Sequence, residues 1–147
     1  MQTIKLPYST NDIYLIHQIQ VAQNRLIGKC YQFLKSEPTQ KETTHYLNQQ
    51  ETELDSWFKQ STVYESRGMF AADLEAGKYR LFGGKKNLYQ YRNQEITKAE
   101  FSERRLMPIV VIGEAPKKGN RKFEIHTELN QIVFKPNRNT KILPKIK

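Results

Sequence analysis

The sequence predicts an α+β fold in which a small antiparallel β-barrel is interrupted by an inserted helical bundle. Apolar residues recur at spacings of three and four across residues 12–76, which is the period of amphipathic helices. Beyond Gly77, short alternating or continuous apolar runs are separated by turns rich in Gly and Asn, which is typical of strands. The predicted domains are therefore a β-barrel of residues 1–8 and 78–147 and a helical insertion of residues 9–77.

The N-terminal residues predict a short strand followed by a long helix. Residues 3–7 form the strand, which is expected to join the C-terminal strands because so short a segment cannot stand alone. A Ser-Thr-Asn-Asp run then offers helix N-caps, and the helix covers about residues 12–36. It ends before Pro38, because proline disfavours the helical conformation of the residue that precedes it.

Two further helices complete the insertion. Thr39 and Glu42 have the spacing of a capping box, which predicts a short polar helix that ends at about Gln50. The third helix covers about residues 53–76, and Gly77 supplies its C-terminal stop.

The next segment predicts a β-hairpin and a short helix. Residues 79–82 and 88–92 alternate as strands do, and the Gly-Gly-Lys-Lys-Asn sequence between them predicts the turn. A second capping-box spacing begins at Thr97 and predicts a helix that ends at about Arg105.

The remaining residues predict the rest of the barrel. The continuous apolar run 107–113 is typical of a strand that is buried on both faces. Residues 122–126 and 131–135 predict two strands joined by a turn, and the proline-bearing residues 141–147 predict an edge strand.

The charge of the chain is concentrated in its C-terminal half. Residues 1–77 carry a net charge of −2, whereas residues 78–147 carry +11, so the overall charge of +9 arises entirely from the second half. The common partner of so basic a segment is a polyanion, because each neutralised phosphate releases a condensed counterion. The alternative is that the charge serves only solubility. We expect nucleic-acid binding.

Signals for an enzyme are weak. Cys30 is the only cysteine, so no intrachain disulfide and no Cys-based zinc site can form, and it is expected to be a small buried apolar residue. The three histidines are scattered without helical partners of ligand type, and no nucleotide-binding or hydrolase motif is present. The sequence therefore predicts no catalytic residues, no metal site and no cofactor.

The N-terminus has no apolar run of the kind found in signal peptides, and no stretch approaches the roughly 20 apolar residues of a membrane helix. We therefore expect a cytoplasmic protein that does not interact with membranes.

Two turns in the basic half combine cations with backbone that can approach a phosphate. Residues 83–87 place two glycines before Lys85, Lys86 and Asn87, and residues 117–122 surround a Gly-Asn turn with four cations. For the first turn, an ordinary hairpin turn with solvated lysines is the alternative.

Tyrosines alternate with cations near the first turn. Tyr79, Tyr89 and Tyr91 could stack on unpaired bases while the neighbouring cations hold the backbone, or they could be half-buried core residues. Arg104 and Arg105 could bind phosphate or, at the end of a short helix, interact favourably with the helix dipole.

Four strings of the sequence resemble the N-terminal part of TnpB proteins, which are transposon-encoded, RNA-guided DNA nucleases related to the CRISPR type V effectors. These strings are DSWFKQSTVYES, RLFGGKKNLYQY, ITKAEFSERRLMPIVVIGEAPKKGNRKFEI and IVFKP, in that order. The resemblance is sharpest in GGKKN, RRLMPIVVIGEA and KGNRKF, and it extends from the first predicted strand to about Pro136.

The resemblance implies a recognition lobe, in which a small OB-like barrel called the wedge domain is interrupted by a helical recognition insertion. The lobe would hold the guide RNA scaffold, the guide–target heteroduplex and a short DNA motif beside the target. By position, it implies wedge contacts from Lys85, Lys86, Arg104, Arg105, Lys117, Lys118, Arg121 and Lys122, and DNA contacts from Lys59, Gln60 and Tyr64. Asn87, Tyr89, Arg92 and Asn120, from the turns and the tyrosine pattern, complete the predicted interface.

Relatives of this family continue into a RuvC-like nuclease with three acidic residues and a four-cysteine zinc ribbon. The single Cys30 excludes the ribbon, so the resemblance implies recognition without cleavage.

Three interpretations follow. The first is a nucleic-acid-binding module that holds guide-like RNA, target DNA or both, and that works alone or with a separate nuclease subunit. The second is a protein-interaction factor that imitates the lobe and inhibits or regulates a related RNA-guided effector. The third is the truncated N-terminal part of a transposon-associated nuclease.

Overall fold

Three helices form the main body of the protein in a computed structural model that describes residues 8–9, 12–113, 122–129, 131–137 and 140–146. Helix α1 covers Ile13–Leu34, α2 covers Gln40–Asn48 and α3 covers Ser56–Glu75. The helices predicted from the apolar period are therefore confirmed, with ends that differ by a few residues. None of the helices in the described ranges is both long and apolar enough to cross a membrane.

Local capping chemistry sets the ends of these helices. Thr39 and Glu42 form the predicted capping box, with the Thr39 hydroxyl accepting from the Glu42 amide at 3.1 Å. Helix α3 begins later than predicted because the Asp55 carboxylate accepts from the amide of Phe58 at 3.1 Å. Gly77 follows α3 with a φ of 77°, which is the left-handed conformation that the predicted stop requires.

The hairpin predicted over residues 79–92 is wrong, because its second half is helical. Helix α4 covers Gly84–Arg92, and α5 covers Lys98–Arg104 behind the predicted capping box of Thr97. Gly83 and Gly84 both have positive φ, but they form the entry to a helix and not a two-strand turn. The helical period brings Tyr91 against α5, where its ring stacks on Phe101 at a centroid distance of 4.7 Å.

The strand predicted over residues 107–113 is also wrong. The segment does not form a strand, because side chains of two helices take its backbone hydrogen bonds. Gln23 of α1 donates to the carbonyl of Val110 at 2.6 Å and accepts from its amide at 2.8 Å. Asn24 pairs with Met107 in the same two-way manner, at 3.0 and 2.8 Å.

The C-terminal end of this segment is held by α3. The indole of Trp57 donates to the carbonyl of Ile112 at 3.0 Å, and the amide of Ile112 donates to the Ser61 hydroxyl at 3.1 Å. The segment is apolar, as predicted, but it is only partly buried instead of buried on both faces, because it lies across two helices and not in a sheet.

The remaining elements form a small antiparallel sheet of short strands. These are β1 at Tyr8–Ser9, β2 at Phe123–His126, β3 at Gln131–Asn137, β4 at Thr140–Ile142 and β5 at Lys145–Ile146. The pairing order is β1-β5-β3-β2, with β4 also paired to β3.

The predicted barrel is wrong, because this sheet is open. Among the described strands, β1 and β2 lie at the two ends of the order and do not pair with each other. The strands predicted at 122–126 and 131–135 are confirmed as β2 and β3. The strand predicted at 3–7 lies outside the described residues, although β1, which includes Tyr8, does pair with the C-terminal β5 as expected for the N-terminus.

The sheet and the bundle share one apolar core. It joins buried residues of α1 and α3 to two residues of the sheet, and Phe58 meets Phe134 edge-to-face at 6.4 Å. The members of this core are Ile19, Ala22, Leu26, Leu54, Phe58, Phe134 and Ile142. The division of the chain into two domains stays a prediction, but the described sheet packs directly on the helices.

Candidate nucleic-acid interface

Helices α4 and α5 form a second helical unit, which we call the basic hairpin (residues 84–105). It carries six Lys and Arg against three Glu, whereas residues 12–76 carry six Lys and Arg against nine acidic residues. Helix α4 has no buried residue, and Phe101 is the only buried residue of α5. The hairpin therefore contributes little core and exposes most of its charge.

Three predicted residues lie on one face of α4. Lys85, Tyr89 and Arg92 are spaced by four and three positions, so the helix aligns them along its axis. All three are exposed, with 56 % of Tyr89 accessible. In the β-hairpin predicted from the sequence, Tyr89 and Arg92 would point to opposite faces of the strand. The helix therefore brings together residues that a strand would separate.

The cations of this face are not neutralised by acidic neighbours. Within the described part of the chain, no carboxylate lies within 4.0 Å of the Lys85, Lys86 or Arg92 cation. Lys86 is also exposed and stands next to Lys85 on the adjoining face. A phosphate could therefore approach this surface without displacing an ion pair.

Other predicted residues hold the hairpin together. Arg104 donates to the Gln90 side chain of α4 at 2.9 Å and lies 3.9 Å from Glu100. Arg105 places its guanidinium 5.0 Å above the ring of Phe101, and Asn87 donates to the carbonyl of Gly83 at 2.7 Å. Arg105 remains exposed, so it can also contact a ligand.

Lys122 has a structural position. It is 7 % exposed, its ammonium pairs with Asp55 at the start of α3, and it donates to the carbonyl of Pro136 at 3.3 Å. The same ammonium lies 5.4 Å from the centre of the Phe58 ring. Its charge is therefore used inside the fold. Lys117, Lys118, Asn120 and Arg121 lie outside the described residues.

The predicted DNA-contacting residues of α3 are only partly brought together. Gln60 and Tyr64 lie one helical turn apart on an exposed face, and 68 % of Tyr64 is accessible. Lys59 is half-buried and donates to the carbonyl of Asn48, the last residue of α2, at 3.5 Å. A cation at a helix C-terminus is favourable there, so Lys59 has a structural partner.

A groove beside α1 includes two cations that sequence reasoning missed. We call it the α1 groove. It measures about 710 Å³ and is lined by Arg25 and Lys29 of α1 and by Arg105 of the hairpin, with Phe33, Tyr46 and Phe82 as its aromatic residues. Arg25 and Lys29 stand one turn apart on the face of α1 opposite its apolar stripe, and that spacing is the signal that could have identified them.

A hydrogen-bond network ties residues 78–82, which precede the basic hairpin, to the helical bundle. The Tyr31 hydroxyl donates to Asp73 at 2.7 Å and accepts from the Arg80 amide at 2.8 Å, while the Arg80 side chain donates to Asp73 at 3.1 Å. The Tyr31 hydrogen bond, together with Arg80, lowers the pKa of Asp73, and burial raises the pKa of Tyr31. The orientation of residues 78–82 is therefore tied to α1 and α3.

The described residues contain no reactive thiol and no grouped metal ligands. Cys30 is fully buried as predicted, and burial raises the pKa of its thiol, which disfavours the reactive thiolate. Among the described residues, no three His, Cys, Asp or Glu side chains are grouped to hold a metal ion.

No protein-family model matches the chain, and no curated protein or solved structure shows significant similarity to it. The resemblance to TnpB recognition lobes therefore rests on the sequence strings given above.

Proposed function

We propose that the protein binds nucleic acid through the exposed face of α4, as a recognition module that resembles the TnpB lobe and does not itself cleave. The ligand would be guide-like RNA, target DNA or both. The observation that carries the proposal is the alignment of Lys85, Tyr89 and Arg92 on one solvent-facing side of a helix.

Each part of this face suits a different part of the ligand. Lys85 and Arg92, with Lys86 beside them, offer cations to the phosphates, and each phosphate contact releases a counterion. The Tyr89 ring lies between the cations and is open to solvent, so an unpaired base can stack on it, at about 1–3 kcal/mol per base.

The low burial of the hairpin supports the same function. Since α4 has no buried residue, its cations and Tyr89 contribute little to the core and remain accessible to a ligand.

The test compares Lys85→Ala/Arg92→Ala with Lys41→Ala/Arg67→Ala, which removes the same two residue types from exposed positions on the bundle. Affinity for an oligouridine and for a DNA duplex is measured over a salt series. The salt slope is the change of log affinity with log salt concentration, and each phosphate contact on B-DNA contributes about 0.9 to it. We expect the α4 variant to lower this slope by about two and the bundle variant to leave it unchanged.

Two results would contradict the proposal. If the affinity of the wild-type protein for both probes does not depend on salt, nucleic acid is not the ligand. The protein-interaction factor is then favoured. If both variants lose the same affinity, nucleic acid is attracted to the overall charge of the protein, and α4 does not form a binding face.

A further inference from the structure

The α1 groove runs from α1 to the start of the segment that follows α5, so it opens beside the basic hairpin. Arg105 belongs to the hairpin and also lines the groove, so the hairpin and the groove share a cation. Because Arg105 also lies beside Gly83 at the entry to α4, the groove opens close to the start of that helix.

The charge of the groove favours an anion. Arg25 is exposed and has no carboxylate within ion-pair distance in the described ranges, and Lys29 donates to the neutral side chain of Gln50 at 3.3 Å. Glu103 is the acidic residue that lines the groove, and His17 binds both of its oxygens, at 2.8 and 3.0 Å. Arg25, Lys29 and Arg105 thus outnumber the acidic group.

Two of the three aromatic residues of the groove form a flat stack. The rings of Phe33 and Tyr46 are 4.2 Å apart and within 9° of parallel, and both are half-buried. Both rings line the groove, so it offers aromatic surface next to cations, which is the combination that binds unpaired bases.

Gly28 keeps the floor of the groove open. Glycine destabilises a helix interior relative to alanine, and here neither backbone conformation nor packing requires it, because a Cβ at Gly28 would meet nothing within 4 Å. Gly28 lies between Arg25 and Lys29 on the groove side of α1, so any larger side chain would occupy space that a ligand could use.

We propose that the α1 groove binds an unpaired segment of nucleic acid, with phosphates at Arg25, Lys29 and Arg105 and a base against the Phe33–Tyr46 pair. This inference rests on the proposed function, since the basic hairpin and the groove share Arg105 and would bind the same nucleic acid. Bases in a duplex are already stacked and paired, so the groove discriminates for unpaired strands.

The first arm of the test fills the groove without removing charge. Gly28→Leu is compared with Gly68→Leu, because Gly68 is also a helix-interior glycine with nothing within 4 Å of its added Cβ, but it does not line the groove. Both variants should melt at or above the wild-type temperature, since leucine is the better helix former. Gly28→Leu should lower affinity for an oligouridine about tenfold and leave duplex affinity unchanged, whereas Gly68→Leu should change neither.

The second arm removes the charge of the groove. Arg25→Ala/Lys29→Ala should weaken oligouridine binding more than duplex binding, with Lys41→Ala/Arg67→Ala as the matched control. If Lys85→Ala/Arg92→Ala weakens binding but both groove variants bind oligouridine as wild type does, the groove inference is wrong and the function of α4 stands. If wild type binds neither probe, the proposed function fails first.

A competition measurement separates nucleic acid from an acidic protein segment. If polyglutamate displaces the oligouridine as well as unlabelled oligouridine does, and Gly28→Leu weakens both, the groove takes an acidic peptide and the inference is overturned. Displacement only by oligonucleotides, lost in Gly28→Leu, supports it.

Discussion

Residues 12–76 and the basic hairpin are both helical, but they differ in where their side chains are used. In the bundle, polar groups turn inward: Gln23 is fully buried and binds the backbone of Val110, and the buried hydroxyls of Thr43 and Thr62 each donate to the backbone carbonyl four positions earlier. In the hairpin, Phe101 is the single buried residue of the described helices, and the cations face solvent.

This difference separates stability from binding. A bundle that buries its polar groups in satisfied hydrogen bonds specifies one packing, because each broken pair leaves a desolvated group. A hairpin held by the Tyr91–Phe101 ring stack and by hydrogen bonds and ion pairs at its surface can carry exposed cations without disturbing the core. Substitutions of buried residues in the first region should therefore affect folding, and substitutions of exposed cations in the second should affect ligand binding.

The largest difference is expected for large-to-small changes of aromatic residues. Phe58→Ala should lower the free energy of unfolding by about 3–5 kcal/mol, because Phe58 is fully buried in the core that joins bundle and sheet. Tyr89→Ala should change it by less than about 0.5 kcal/mol, because more than half of Tyr89 is exposed. Urea denaturation of both variants measures this, and similar losses would contradict the proposed separation.

The next effect concerns the buried side-chain amide of Gln23 in α1. Gln23→Leu leaves the amide and carbonyl of Val110 without their partners, so we expect a loss of about 2–3 kcal/mol in the free energy of unfolding. Gln18→Leu is the control, since Gln18 is exposed on the same helix. Hydrogen exchange at Val110 should accelerate in the first variant only, and unchanged protection there would show that Gln23 does not hold the segment.

A smaller effect is expected at the entry to the basic hairpin. Alanine at Gly83 or Gly84 should each cost about 1–2 kcal/mol, because both residues have positive φ. At Gly83 the new Cβ would also lie 2.5 Å from Cγ of Arg105, whereas at Gly84 it would meet nothing within 4 Å. Gly83→Ala should therefore displace Arg105 and weaken oligouridine binding further, and equal binding by the two variants would contradict this.

The smallest effect is a pH dependence at the junction of the two regions. The folded-state pKa of Asp73 is lowered from its ordinary value of 3.8, so its contribution to stability is present above that value. It is lost as the pH falls through the lower, folded-state pKa, because the carboxylate must then be protonated. Asp73→Asn should flatten this part of the stability–pH curve, while Glu75→Gln, at an exposed residue of α3, should leave it unchanged.

Local signals predicted α2, the end of α3 and α5, although they did not predict α4. The capping boxes at Thr39 and Thr97 and the stop at Gly77 act over four or five residues, so they can be identified without knowing what packs on the helix. Strands β2 and β3 were predicted for a similar reason, since alternating side chains flank a short connection.

The candidate site was predicted in composition but not in arrangement. The sequence predicts Lys85 in a turn and Tyr89 and Arg92 in a strand, whereas the helix aligns all three. A short segment with two tyrosines and a preceding Gly-Gly satisfies the strand pattern and the helix pattern equally, so contact with Phe101 of α5 decides between them. Lys122 shows the converse, because its charge suggested a ligand and its partner Asp55 lies 67 positions away.

The sequence by itself determined the capping boxes of α2 and α5, the stop after α3, the basic character of the second half and the residue types that can bind a polyanion, because these depend on neighbours within a few positions. The tertiary structure decided the open sheet, the helical form of residues 84–92 and the path of residues 107–113. The last case gives the physical reason. An apolar run must bury its side chains and satisfy its backbone, and Gln23 and Asn24, more than 80 positions away, supply amide groups in place of a neighbouring strand.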